Sequence, residues 1–229
     1  MSRNKKKKGY CYFCGAEATT SEHFPPKSFF PEDSASRANL KTVLSCDEHN
    51  AKRSDDDEYT LLAFTMISEN CNEQFPKVIR ALKLNNQSLY KKFFYNSQNI
   101  NGFHIKDSLY IASKSTLLEL DRKRIDNVID SICRAIYYQD INHQKRWEGK
   151  FYIYSPSLNP LLTLNDHYLR QQAYILTNPI YEIASPKKGS NHKIFFYQIF
   201  KDENDKFIAM RMAFYESVTF FVFPELIQF

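Results

Sequence analysis

The sequence predicts an α+β chain, and three observations predict it. Residues 10 to 45 are rich in turn signals with short strand-like pieces, the middle carries apolar residues at helical spacing, and the end alternates aromatic and aliphatic runs. The expected order is therefore a small loop-rich module, a helical segment and an antiparallel sheet.

Within the module, Gly15 follows Cys14 where a tight turn needs positive φ. Residues Glu32 to Ala38 are small and polar and read as a loop, and Leu40 to Leu44 reads as a short strand entering Cys46. From Cys46 a helix is expected through Asn50, Lys52, Arg53 and the acidic run into Tyr59–Met66. In such a helix Asn50, Ser54 and Asp57 fall on one face.

Phe75 to Leu84 and Leu117 to Gln139 have helical periodicity, the second through Leu118, Ile125, Ile129, Ile132 and Ile136. After Trp147 the pattern changes to strands: Lys150–Tyr154, Lys193–Phe200, Phe207–Tyr215 and Val218–Phe223. The polar stretch Lys201–Lys206 is the expected hairpin loop between the second and third of these. The division that results is a basic arm at 1–9, a module at 10–62, and a helical-plus-sheet domain at 63–229 for substrate or partner recognition.

Composition bounds the function classes. The chain has 229 residues, 43% of them hydrophobic, which suffices for one core or for a small module with a larger domain. No run approaches the roughly 20 apolar residues of a membrane span, and the start lacks the apolar core of a signal peptide. A cytoplasmic protein without a membrane partner is expected. Net charge is +5, with the excess in residues 59–229, too modest by itself to announce nucleic-acid binding. Five cysteines, an odd number, argue against a disulfide framework. Cys71 and Cys133 sit in apolar sequence and read as buried thiols.

The chemistry lies between Cys11 and Glu58. Cys11 and Cys14 form one CxxC pair, and Cys46 and His49 form a CxxH pair about 30 residues later. Thiolate and imidazole at this spacing make a four-ligand structural zinc site, and loop-rich sequence with few large aliphatic residues needs such a staple. The alternative is free cysteines beside a surface histidine.

Glu22, His23 and Asn50 remain over in the same module. A hard divalent cation, Mg²⁺ or Mn²⁺, takes oxygen ligands, and Glu22 carboxylate with Asn50 carboxamide offers two. His23, titrating near neutrality, can then take a proton from an attacking water. Standing alone, Glu22-His23-Phe24-Pro25 would read as a histidine near a turn.

These residues resemble the HNH, or ββα-metal, nucleases. The resemblance is carried by Cys11-x-x-Cys14-Gly15, by Glu22-His23-Phe24-Pro25-Pro26-Lys27-Ser28, by Asn39-Leu40, and by Cys46-x-x-His49-Asn50 with Ser54 to Tyr59. It covers residues 9 to 62, with a weaker likeness at Ile132–Tyr138, and looks most like the zinc-stabilised bacterial subgroup.

The resemblance implies a treble-clef-like hairpin and helix gripping one cation, and hydrolysis of phosphodiester bonds in DNA, or less often RNA. It makes His23 the general base, Glu22 and Asn50 the cation ligands, and Asn39 the residue that steadies the loop and orients His23. Glu22 stands where Asp is commoner, Asn50 where His is frequent, and His49 where a cysteine is usual. It further implies a partner protein such as an ATPase of a defence or restriction system, and the modest charge points to such a partner or to a homodimer. A non-catalytic zinc-binding adaptor for nucleic acid or protein is the rival.

Four further features each have two readings. Lys5 to Lys8 is a solvated arm or a phosphate contact, and Asp55 to Glu58 is a solvated helix segment or an auxiliary metal group through Ser54 and Asp57. The sheet aromatics Phe195, Phe196, Tyr197, Phe220, Phe221 and Phe223 read first as core and second as a base-stacking face. Lys187, Lys188, Gly189 and His192 form a basic loop, solvated or touching phosphate.

Overall fold

The computed structural model describes residues 9–33, 35–68, 71, 98–106, 109–117, 120–142, 145–156, 158, 175–176 and 185–225. The Lys5–Lys8 run, the Phe75–Leu84 helix and Leu118 lie outside them. Helix and sheet are mixed, as expected, and the sheet that ends the chain is antiparallel.

A two-stranded hairpin begins the fold, β1 (Thr20–His23) against β2 (Thr42–Ser45), with Glu22 opposite Val43 and His23 opposite Thr42. The chain does not then enter one helix at Cys46. Two 3-10 turns, Asp47–His49 and Ala51–Arg53, come first, and helix α1 runs Ser54–Ile67. Asn50 is therefore in the junction between turns and shares no helical face with Ser54 and Asp57. The physical reason is ligand geometry: a 3-10 turn eclipses residues i and i+3, which brings Cys46 over His49 and Asn50 over Arg53.

Helix α1 is buried from Tyr59 through Thr65, all round its circumference, so it is a core helix rather than a surface one. Residue 62, the expected end of the module, lies in its middle. Helix α2 (Arg122–Ile136) packs against it, burying Ile125, Val128, Ile129, Ile132 and Ile136. It starts later than the periodicity suggested, because Leu117 belongs to a strand and Asp121 caps the helix by accepting from Arg124 N at 3.3 Å. A π-helical turn, Tyr137–Ile141, ends it.

Strands β3 (Gln98–Lys106) and β4 (Leu109–Leu117) pair as a hairpin that the sequence reading did not anticipate. The last sheet is ordered β5-β9-β8-β7-β6, from Phe151–Tyr154, Val218–Pro224, Phe207–Phe214, Phe195–Lys201 and Lys188–Asn191. The four strands expected of it are all present. The basic stretch beginning at Lys188 is an additional edge strand rather than a loop.

One hydrophobic core joins the two halves: Tyr12, Phe29, Phe30 and Phe64 share it with Ile129, Phe195, Phe214 and Phe220. Phe64 meets Phe214 at 5.0 Å and Phe29 at 5.9 Å between ring centroids. Truncating one such ring to alanine costs about 3–5 kcal/mol. Phe195, Phe196, Tyr197, Phe220 and Phe221 are buried and Phe223 is half-buried, so the sheet aromatics are core. Among the described residues no helix is long and apolar enough to cross a membrane.

Candidate functional site

Cys11 and Cys14 sit in a tight turn closed by Gly15 N donating to Cys11 O at 2.9 Å, with Gly15 at φ +76°. Tyr12 N donates to Leu44 O at 2.9 Å and ties that turn to β2. Across from it, the first 3-10 turn carries Cys46 and His49, whose Sγ and Nδ1 are 3.2 Å apart. Cys14 Sγ lies 3.8 Å from Cys46 Sγ, Cys11 Sγ lies 3.9 Å from His49 Nδ1, and all four ligand atoms fall within 4.8 Å of one another. Sulfurs about 2.3 Å from a tetrahedral zinc are about 3.8 Å apart, so the cluster can hold a metal ion. Burial lowers the His49 pKa and favours the neutral imidazole that binds metals.

The second half of the chain clamps this knuckle. Phe13 stacks on His49 at 4.2 Å and 20°, and the Arg134 guanidinium lies 4.7 Å above Phe13. Arg146 Nη1 donates to Cys14 O at 2.6 Å, and a Cβ on Gly15 would come within 2.2 Å of that nitrogen. Glycine is thus needed at position 15 for its φ, and the missing Cβ leaves the Arg146 side chain room to approach Cys14 O.

Glu22 and Asn50 are brought to the same hairpin–turn junction, but both are already engaged. Glu22 is buried and forms an ion pair through Oε1 with Arg53 Nη2, while its Oε2 accepts from Tyr12 OH and Ser45 Oγ, each at 3.3 Å. Tyr12 OH also bonds Ser131 Oγ of α2 at 2.8 Å, and burial pushes its pKa up to about 12. Asn50 Nδ2 donates to Thr20 Oγ1 at 3.1 Å and Ser21 O at 3.3 Å, stitching the turn to β1. As arranged, this pair does not fit a cation: a guanidinium stands on the carboxylate a cation would need.

His23 is half-buried at the end of β1 and, by strand alternation, projects from the hairpin face opposite Glu22. Asn39 is exposed with φ 58°, a left-handed conformation that asparagine tolerates, at the end of the loop that returns to β2. The acidic run divides. Asp55 is exposed, Asp56 pairs with Arg124 of α2 at 2.6 Å, and Asp57 turns inward, where burial raises its pKa to about 7. Its Oδ1 and the Nε of Arg53 are both buried with no hydrogen-bond partner. Asp57 and Ser54 line a cavity of about 270 Å³ with Ser28, Glu32, Arg37 and Glu58.

The sequence reading missed Arg53, Tyr12 and Ser45 as the partners of Glu22, and Ser131 as the partner of Tyr12. Arg53 alone had a signal, its i+3 relation to Asn50. Comparison with known proteins adds nothing to the geometry, since no family model, no curated protein and no solved structure matches the chain.

Proposed function

We propose that this chain is a phosphodiester hydrolase of the HNH, ββα-metal type, with a zinc-stapled treble-clef-like module, acting on nucleic acid and on DNA before RNA. The observation that carries the reading is the hairpin–turn–helix unit with four convergent Cys and His ligand atoms, with Glu22 and Asn50 at its junction and His23 the next residue of β1, on the opposite face of the hairpin. His23 is the general base for an attacking water, and Asn39 holds the loop beside it. Zinc serves the fold rather than the reaction.

The cation requirement belongs to the same reading through Glu22 and Asn50, and Arg53 has to leave the carboxylate before Mg²⁺ or Mn²⁺ can use it. That pairing favours a second reading: a non-catalytic zinc-binding adaptor in which Glu22 and Arg53 are purely structural.

Plasmid and single-stranded DNA and RNA, incubated with the full chain and Mg²⁺ or Mn²⁺, separate the two. The hydrolase predicts cleavage that falls by about 10²–10⁴ in His23→Ala, with zinc content and unfolding midpoint unchanged. Uncut substrates under all these conditions, with candidate partner proteins added, leave the adaptor.

A further inference from the structure

We propose that the cavity between the tip of the β1–β2 hairpin and the C-terminal sheet binds one unstacked nucleotide of a single-stranded nucleic acid. Its base lies against the apolar wall, and its phosphate sits on Lys188. The proposal takes its substrate class from the hydrolase reading but makes no use of its chemistry.

The cavity has a volume of about 600 Å³ and starts one residue beyond the His23–Thr42 pair on both strands, with Phe24 and Pro25 on one side and Lys41 on the other. Phe30 and Phe195 complete an apolar wall, and Asn39 and Ser190 supply polar edges. That volume lies in the roughly 300–1,000 Å³ range of small-ligand sites. A walled pocket of this size admits a base only when the base has left its stack, which selects single strands over duplex.

The charges in the lining divide into a fixed part and an available part. Lys41 Nζ is locked by Asp140 at 2.9 Å and Tyr197 OH at 2.8 Å, and Tyr197 OH in turn donates to Asp140 Oδ2 at 2.5 Å. Lys188 reaches Asp140 only at 3.7 Å and is half exposed. Two lysines against one aspartate leave one positive charge at the cavity, and Lys188 is the cation able to turn to an anion. No Asp or Glu occurs from Pro186 through Lys201, so the edge hairpin that forms this rim carries only basic charges. Gly189 lets that rim lie close to the sheet, since a Cβ there would meet Phe195 O at 2.5 Å.

The test is fluorescence anisotropy of a short labelled DNA strand on the full-length His23→Ala chain, which removes cleavage from the measurement. Lys188→Glu is expected to weaken binding about tenfold and to lower the salt slope by about one. Lys193→Glu, on the same hairpin but away from the cavity, is expected to stay within about twofold. Adenosine monophosphate should compete and inorganic phosphate should not. Should Lys188→Glu fail to fold, Lys188→Gln carries the same comparison. Equal losses at 188 and 193, duplex bound as tightly as single strand, phosphate competing as well as the mononucleotide, or no binding at all would each overturn the proposal. A wild-type chain that binds in this manner but cuts nothing ends the hydrolase and keeps the pocket. Cleavage with Lys188→Glu binding unchanged does the reverse.

Discussion

The Cys/His knuckle and the Glu22–Asn50 junction lie on the same hairpin and turns, yet they are built in opposite ways. In the knuckle the four ligand atoms face one another, within 4.8 Å, and the partners around them hold backbone and ring faces, not ligand atoms. At the junction the carboxylate and the amide NH2 are matched to protein, Glu22 to Arg53, Tyr12 and Ser45 and Asn50 Nδ2 to Thr20 and Ser21, and the buried Arg53 Nε is left without a hydrogen-bond partner. Ligand atoms that face one another call for a guest to hold them together, whereas a carboxylate already paired within the protein is held without one and must be opened to receive it.

The knuckle half of this contrast carries the largest expected effect. Binding of structural zinc contributes on the order of 10 kcal/mol, so chelation or Cys46→Ser should remove about one zinc per chain and collapse thermal stability. Because Tyr12, Phe29 and Phe30 share a core with Phe195 and Phe214, the whole described fold should melt together. Calorimetry decides the point. Two separate transitions, with the first 60 residues lost and the sheet retained, would show the shared core to be weaker than its packing implies.

The same contrast explains what was legible in the sequence. Cys11, Cys14, Cys46 and His49 announce themselves because each pair closes within one tight turn, and the alternation of Phe207 to Phe214 announces a strand. The state of Glu22 is not local. Its partners come from the CxxC turn, from β2 and from the second 3-10 turn, and Tyr12 is itself held by Ser131, 119 residues away. Nor does periodicity mark where the module ends: α1, expected through Met66, runs on past residue 62, and a helix buried on all sides has no polar face to show that it belongs to the shared core.

The junction is tested next, by removing the guanidinium. Arg53 and Glu22 side chains are 14% and 10% exposed, and breaking such a buried pair costs about 3–5 kcal/mol because the remaining charge is stranded. Arg53→Ala should therefore lower the denaturant midpoint, and adding Glu22→Gln should recover part of the loss. If the carboxylate is a cation ligand, millimolar Mn²⁺ will stabilise Arg53→Ala more than the wild type. An Arg53→Ala chain indifferent to Mn²⁺ would assign Glu22 to the fold alone.

Asp57 gives the finest measure of the same contest. Arg53 faces both carboxylates but is bonded to Glu22, and Asp57, left to burial, keeps its proton to about pH 7. In the unfolded chain that proton leaves near pH 4. Between these values the unfolded state binds fewer protons than the folded one, so stability falls as pH rises. The loss is complete above pH 7 and amounts to at most about 4 kcal/mol. Asp57→Asn should flatten this slope in urea titrations from pH 4 to 8. A cation that displaces Arg53 from Glu22 frees the guanidinium for Asp57, lowers that pKa and flattens the slope as well. In wild-type protein, then, a pH dependence that shrinks with added Mn²⁺ means the junction opens to a guest, and one that ignores Mn²⁺ means it is closed for good.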